Sequence, residues 1–237
     1  MITLLAVPGS LVAGATVTLD PEEQHHLSVR RATGEVAVAL LDGAGSRAEG
    51  RLLAEGPHPT VQVERVVVEP APVRTVLAVG AGDRDRFGAL AEQAAQLGAT
   101  CLVPLETERT ASVATRLRES HLPRIRRRAR EAIKQCGAAW APEIDHPIGL
   151  TEFLAGPLAG ARWLADQEGS PIAPLKATEA LTAVIGPEGG FTAQERAALV
   201  DAGFKPVRLG PHLLRFETAA LAALTSAWLA RQRERHG

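Results

Sequence analysis

Residues 181–224 read LTAVIGPEGGFTAQERAALVDAGFKPVRLGPHLLRFETAALAAL, and this stretch decides the fold. Its pattern is strand, loop, helix, strand, loop, helix. Leu181–Ile185 is a short, largely apolar run that stops at Gly186-Pro187-Glu188-Gly189-Gly190, a cluster of turn formers. Glycine there opens backbone conformations closed to other residues and lets a ligand approach the peptide units. Thr192, with Glu195 three residues on, is the capping-box arrangement that starts a helix. Gly203 is placed to end it. A second strand, Pro206–Leu209, leads into Gly210-Pro211-His212-Leu213-Leu214-Arg215, and an Ala/Leu-rich helix begins near Glu217. Two Gly/Pro loops, each leaving a strand, predict a ligand site at the carboxyl edge of a parallel sheet.

The rest of the chain bounds that reading. Its 237 residues give room for one or two domains, and 46% hydrophobic with 22% charged residues is a globular composition. A net charge of −1 excludes a global basic field, so any nucleic-acid surface must be local. Cys101 and Cys136 fit neither a metal spacing nor a disulfide framework, so no metal is expected and a reducing compartment is the simpler reading. No apolar run is long enough to span a bilayer and the start lacks a signal-peptide charge pattern, so a cytoplasmic protein without a membrane partner is expected.

Upstream of about residue 70 the pattern is short strands and turns: Ile2–Val7, Thr16–Leu19, Val36–Leu41, Arg51–Leu53 and Val61–Val68. Asp20-Pro21 starts one helix, whose His25 and His26 are open to RNA contact or, in the plainer reading, leave His26 packed inward and His25 capping or solvated, and Asp42-Gly43 with Gly45 makes a hairpin turn. Strands of this number and size suggest a small barrel. Pro70 and Pro72 mark a junction between a domain of residues 1–70 and one of residues 71–237.

Beyond it, Thr75–Val79 and Cys101–Leu105 are strands around a helix with Phe87, Leu90, Ala91, Ala94 and Leu97 on one face and Gly98 at its end. Strand–helix–strand of this kind implies parallel pairing. A helix from about Leu122 to Gly137 places Ile125, Ala129, Ala132, Ile133 and Cys136 on one face. Arg124, Arg126, Arg127, Arg128, Arg130 and Lys134 crowd the remainder. Such a cluster suits phosphates, and a solvated helix face would show it too. Ile148–Leu154 reads as a short helix, and Ala161–Ala165 as a strand ending at Asp166-Gln167-Glu168.

IGPEGGFTAQE and LGPHLLRFETAALAAL resemble the two signature loops of the RsmE family, SPOUT-class methyltransferases of 16S rRNA. HHLSVRRATGEVAVALLDGAG, QLGATCLVPL with Thr107–Thr110, and EAIKQCGAAWAPEI are similar to further family segments. The resemblance implies an α/β protein with an N-terminal PUA-like, RNA-binding β-barrel and a C-terminal SPOUT domain whose last loop passes through a trefoil knot. It implies S-adenosyl-L-methionine as cofactor, N3 of a decoding-centre uridine as acceptor, the small ribosomal subunit as partner, and a homodimer. Cofactor contacts fall by this resemblance on Leu164, Gly186, Glu188, Gly189, Gly190, Leu209, Gly210, Leu213, Leu214, Thr218 and Ala219. RNA contacts fall on Arg30, Arg124, Arg126, Arg127 and Arg130. The chain departs from the family pattern where Gln93, Gln96 and Ala138 replace charged residues and where Phe216 replaces a common threonine.

Loss of the N3 proton leaves charge on the uracil carbonyl oxygens, and a fixed arginine stabilises such charge. Arg215 is the candidate, with Glu217 as base or hydrogen-bonding anchor, although an acid in a first helical turn is also favoured by the helix dipole. Two rivals remain open on sequence: methylation of another RNA base, and a non-catalytic rRNA-binding assembly factor.

Overall fold

The computed structural model describes residues 1–29, 36–53, 58–158 and 160–235. The chain forms two compact units, one of Met1–Pro72 with Arg130–Ala141 and one of Val73–Ala129 with Pro142–Gly237. The chain thus changes unit near the Pro70/Pro72 junction, and residues 130–141 join the first unit, which a contiguous division does not provide for.

The first unit holds β1 (Ile2–Leu5), β2 (Thr16–Thr18), α1 (Pro21–Val29), β3 (Val36–Leu41), β4 (Ser46–Leu53) and β5 (Thr60–Val68). They make a five-stranded mixed sheet in the order β1-β3-β4-β5-β2, parallel only between β1 and β3. Alternate side chains, among them Leu4, Val38, Leu40, Leu52, Val61 and Val63, form its core with Leu27 of α1. Asp42 shapes the β3–β4 turn: Oδ1 accepts from the amides of Ala44 and Ser46, both at 2.8 Å. Gly45 there has φ +104°, and a Cβ on it would lie 2.4 Å from the Trp140 ring.

The second unit holds β6 (Thr75–Gly80), α2 (Arg84–Gln96), β7 (Cys101–Glu106), a 3-10 turn (Glu119–His121) and the start of α3 (Leu122–Cys136). Then follow β8 (Glu143–Ile144), β9 (Ile148–Gly149), α4 (Leu150–Ala155), β10 (Ala161–Ser170), β11 (Leu181–Ile185), α5 (Ala193–Asp201), β12 (Lys205–Val207) and α6 (Phe216–Arg235). The strands make one parallel sheet, β12-β10-β11-β6-β7-β8, with β9 also on β7. Side chains alternate between its faces because a strand repeats every two residues. Leu77, Val79, Leu102, Ala183 and Ile185 pack under α2, α3 and α6. Val76, Ala78, Val103, Leu164 and Val184 pack under α4 and α5.

Several sequence expectations shift. Leu97 is the C-cap of α2 and is exposed, because the helix has already ended; Ala95 is buried instead. Cys136 ends α3 and is exposed rather than on the apolar face. Helix α4 starts at Leu150, and Ile148–Gly149 pairs with β7 as a strand. Strand β10 runs on through Asp166-Gln167-Glu168 to Ser170, because Ser170 pairs with Val207 across a register shift. The strand expected at Pro206–Leu209 is Lys205–Val207. His26 is half-buried; the inward position on α1 is taken by Glu23.

That Glu23 is only 1% exposed, and its partner is Lys134, whose Nζ lies 2.7 Å from Glu23 Oε1 and 2.6 Å from Glu131 Oε2. Burial pushes the Glu23 carboxyl above its ordinary value against the opposing pull of Lys134. Burial would lower the Lys134 ammonium, but its hydrogen bonds to Glu131 and Glu23 outweigh this and the net shift is upward. A carboxyl with a raised folded-state pKa contributes most to stability when protonated, and that contribution is lost as pH rises above its unfolded value. Lys134→Met would leave Glu23 buried without its cation, which costs about 3–5 kcal/mol at neutral pH. Part of the loss should return on acidification, as Glu23 becomes neutral. Urea unfolding of both proteins at neutral and mildly acid pH checks this, and a pH-independent difference would remove Glu23 as the cause.

Candidate active site

Chain direction across the parallel sheet reverses between β11 and β6. From β6 the chain moves through α2 on one face toward β7. From β11 it moves through α5 on the other face toward the β12 edge. The loops at such a switch point diverge and leave a crevice at the carboxyl ends of the strands, where ligands of open α/β sheets bind. Residues 186–190 form one of these loops. They run so close to the end of β6 that a Cβ on Gly80 would lie 2.5 Å from Pro187 Cδ.

Loop 186–190 is held from three sides. Gly190 has φ +71° and its amide donates to Pro187 O at 2.8 Å, closing the turn. Thr192 caps α5 in the capping box with Glu195, as the sequence predicts. The buried Glu195 carboxylate does more than cap. Its Oε2 accepts from Thr192 N at 2.9 Å and its Oε1 from Glu108 N at 2.8 Å, 87 residues away in sequence. Glu108 and Arg109 follow β7, and Arg109 Nη1 donates to the Gly189 carbonyl. The loop after β7 is thereby stapled to the loop after β11.

The second loop, 209–215, follows β12. Leu209, Gly210, His212, Leu213, Leu214 and Ala219, with Ala165, Asp166 and Gln167 of β10, line an open cleft of about 340 Å³. Five of the residues assigned to cofactor contact thus share one cleft: Leu209, Gly210, Leu213, Leu214 and Ala219. Gly186, Glu188, Gly189 and Gly190 lie in the other loop and do not line it. A Cβ on Gly189 would meet the Arg109 side chain at 3.1 Å rather than enter the cleft. Leu164 is buried in the core between its neighbours Val184 and Pro206. Thr218 is exposed beside the cleft residue Ala219. Ala165, Asp166, Gln167 and His212 were not singled out from sequence as ligand contacts, although Asp166-Gln167 ends the apolar part of its strand.

Arg215 is exposed, and none of the described residues pairs with its guanidinium. Glu217 opens α6; its Oε2 is buried without a hydrogen-bond partner among the described residues, and its Oε1 is 4.0 Å from Arg86 Nη1. The same nitrogen is 3.7 Å from Glu188 Oε1. Sequence reading missed Arg86 because charge in a first helical turn carries no signal of what it faces. Phe216 lies at 2% exposure in the core under α6, so its ring packs inward.

The basic helix is less free than its sequence suggests. Arg126 donates two hydrogen bonds to Ile144 O, Arg128 pairs with Glu92, and Arg130 donates to Ala6 O. Arg124 and Arg127 are exposed. Arg30 lies outside the described residues. Burial pushes the Cys101 thiol up to about 11, which makes it a poor nucleophile. Among the described residues no cluster of His, Cys, Asp or Glu could hold a metal ion.

A family model described as RNA methyltransferase domain matches residues 69–228. The ribosomal RNA small subunit methyltransferase E of a Synechocystis strain is 33% identical over 235 residues, spanning 93% of this chain and 75% of that protein. The chain belongs to the ribosomal RNA small subunit methyltransferase E family. The family member from Mycobacterium bovis is 32% identical, spanning 91% of this chain and 89% of its own length. The solved structure of the Neisseria gonorrhoeae family member, bound to S-adenosyl methionine, superposes with a TM-score of 0.86 at 27% identity over 97% of both chains. A Legionella pneumophila putative methyltransferase with bound cofactor gives 0.82 at 26% identity, again over 97% of both chains.

Removing the staple tests the geometry of the first loop. Glu195→Ala would leave the amides of Thr192 and Glu108 unpaired and remove the reciprocal half of the capping box while the Thr192 cap stays, a loss of about 2–4 kcal/mol. Glu195→Gln, with one accepting oxygen, should lose less. Denaturant midpoints at neutral pH measure both, and an unchanged midpoint in Glu195→Ala would show that the staple carries no load.

Proposed function

We propose that this protein transfers a methyl group from S-adenosyl-L-methionine to N3 of a uridine in 16S rRNA, the decoding-centre uridine of the small ribosomal subunit. The observation that supports it most directly is the pairing of the 209–214 cleft with the 186–190 loop at the carboxyl edge of one parallel sheet, in a chain of this family.

The residues present fit such a cofactor. Leu209, Leu213 and Leu214 offer apolar surface to a purine, and Asp166, Gln167 and His212 offer polar partners. At Gly210 a Cβ would come within 3.4 Å of Leu214 and narrow the cleft. When bound, the cofactor supplies an electrophilic methyl group. The chain's part is to orient the base and stabilise the charge left by the N3 proton. Arg215 stands at the end of the cleft loop, next to α6, and its guanidinium has no partner among the described residues, which suits it to hold an oxyanion. Glu217 suits the role of base or anchor, since its Oε2 has no partner among the described residues.

The same reading assigns RNA contact to Arg124, Arg126, Arg127 and Arg130, of which Arg126 also braces Ile144 O and Arg130 also braces Ala6 O. It takes the first unit as a PUA-like barrel and loop 209–215 as the threaded segment of a trefoil knot. It includes a homodimer, supported by Trp228 and Leu229 at 57% and 47% exposure on α6 and by Leu213 at 82% exposure at the cleft. No helix among the described residues is long and apolar enough to cross a membrane, and an rRNA substrate puts the reaction in the cytoplasm.

Nucleoside mass spectrometry of 16S rRNA from cells with and without the protein should show 3-methyluridine lost at one site. A different lost nucleoside would redirect the base assignment, and an unchanged rRNA with intact cofactor binding would favour an assembly factor. In single-turnover assays Arg215→Ala should lose about a hundredfold or more in rate with cofactor affinity unchanged. Arg215→Lys should recover little, since a point charge does not reproduce the planar fork. Full rate in Arg215→Ala at saturating RNA and cofactor would sink the catalytic assignment.

A further inference from the structure

Arg86 lies in the first turn of α2, just after the loop that leaves β6. Its backbone is fixed: Asp83 Oδ1 accepts from Arg86 N at 3.0 Å and from Asp85 N at 2.9 Å. The next residue, Phe87, is fully buried and anchors the turn. The guanidinium therefore starts from a rigid base and reaches two carboxylates, Glu188 at 3.7 Å and Glu217 at 4.0 Å. Glu188 belongs to the loop after β11, and Glu217 to the helix that follows the loop after β12. One cation thus faces one acid from each half of the site.

Both distances exceed a hydrogen bond, so the attraction is Coulombic and the donors of Arg86 are not consumed. Glu217 has little else to hold it. Its Oε2 is buried with no hydrogen-bond partner among the described residues, so no hydrogen bond at that oxygen fixes its last torsion. Without the cation, Glu188 and Glu217 would be neighbouring like charges and would push the two loops apart. We propose that Arg86 is a positioning residue for the methyl-transfer site, holding the Glu217 carboxylate in place by charge while keeping Glu188 and its loop near. The inference rests on the methyltransferase reading and deepens it.

A double-mutant cycle on the full-length protein tests it, with Arg86→Ala, Glu217→Gln and the pair. Arg86→Ala should lower the single-turnover rate about tenfold, while affinity for S-adenosylhomocysteine and for rRNA stays within about twofold. Arg86→Lys should restore most of the rate, because charge rather than the planar fork is needed. In the Glu217→Gln background, Arg86→Ala should cost less than about twofold. The same cycle read as melting temperature of the ligand-free protein should also be non-additive. Multiplying rate losses with additive melting shifts, or a loss confined to rRNA affinity, would overturn the proposal. Absence of methyl transfer by the wild type would instead refute the methyltransferase reading, and the melting cycle alone would then decide whether Arg86 and Glu217 are coupled.

Discussion

The Glu195 carboxylate is the contact on which the site depends. A buried carboxylate is tolerated only where its oxygens are paired, and here each oxygen accepts a backbone amide from a different part of the chain. One bond starts α5 and so fixes where loop 186–190 must end. The other pins the turn after β7, from which Arg109 reaches the Gly189 carbonyl. A local helix-capping device has thereby acquired a long-range partner. Two loops that emerge from separate strands are tied to each other beside the crevice.

The sheet supplies the frame for that contact. Its central strands β6 and β11 are buried throughout, since helices cover both faces, and parallel strands need such cover. The backbone can therefore meet solvent and ligand only at the strand ends. Reversal of chain direction between β11 and β6 sends the following helices to opposite faces, which opens the carboxyl edge at that point. What the crevice lacks in buried polar side chains, it makes up in backbone groups and in a few charges. Arg86, Glu188 and Glu217 are among the charged groups there.

Much of this was legible where the signal is local. Thr192 and Glu195 are three residues apart, so their mutual bonds follow from spacing alone. Gly98 and Gly203 end helices with φ of +76° and +86°, as glycine after a helix should. The strand–helix–strand units followed from periodicity. The failures share a cause in distant partners. Strand β10 outruns its apolar stretch because Val207 pairs with Ser170, which no property of Asp166–Glu168 announces. Lys134 reads as a surface cation until Glu23, 111 residues away, closes on it. Arg126 reads as a surface cation, and its two hydrogen bonds to Ile144 O, 18 residues on, could not be foreseen from the helix alone. The resemblance to a family reached the two loops, but it did not show that Leu164 is buried in the core or that Phe216 packs inward.

The glycines of the site also divide by what crowds them. At Gly80 and Gly186 the crowding comes from the protein itself: a Cβ would meet Pro187 in the first case, and Gly190 and the Phe191 ring at 3.3 Å in the second. These two let the loops pack together. Gly210 is different. Its φ is not in the left-handed region, and the atoms nearest to a Cβ there belong to the Leu214 side chain, at 3.4 Å and beyond. Backbone strain does not require glycine at that position, and Leu214 lines the same cleft as Gly210. Packing and backbone conformation therefore explain glycine at positions 80 and 186 but give no steric reason for it at 210.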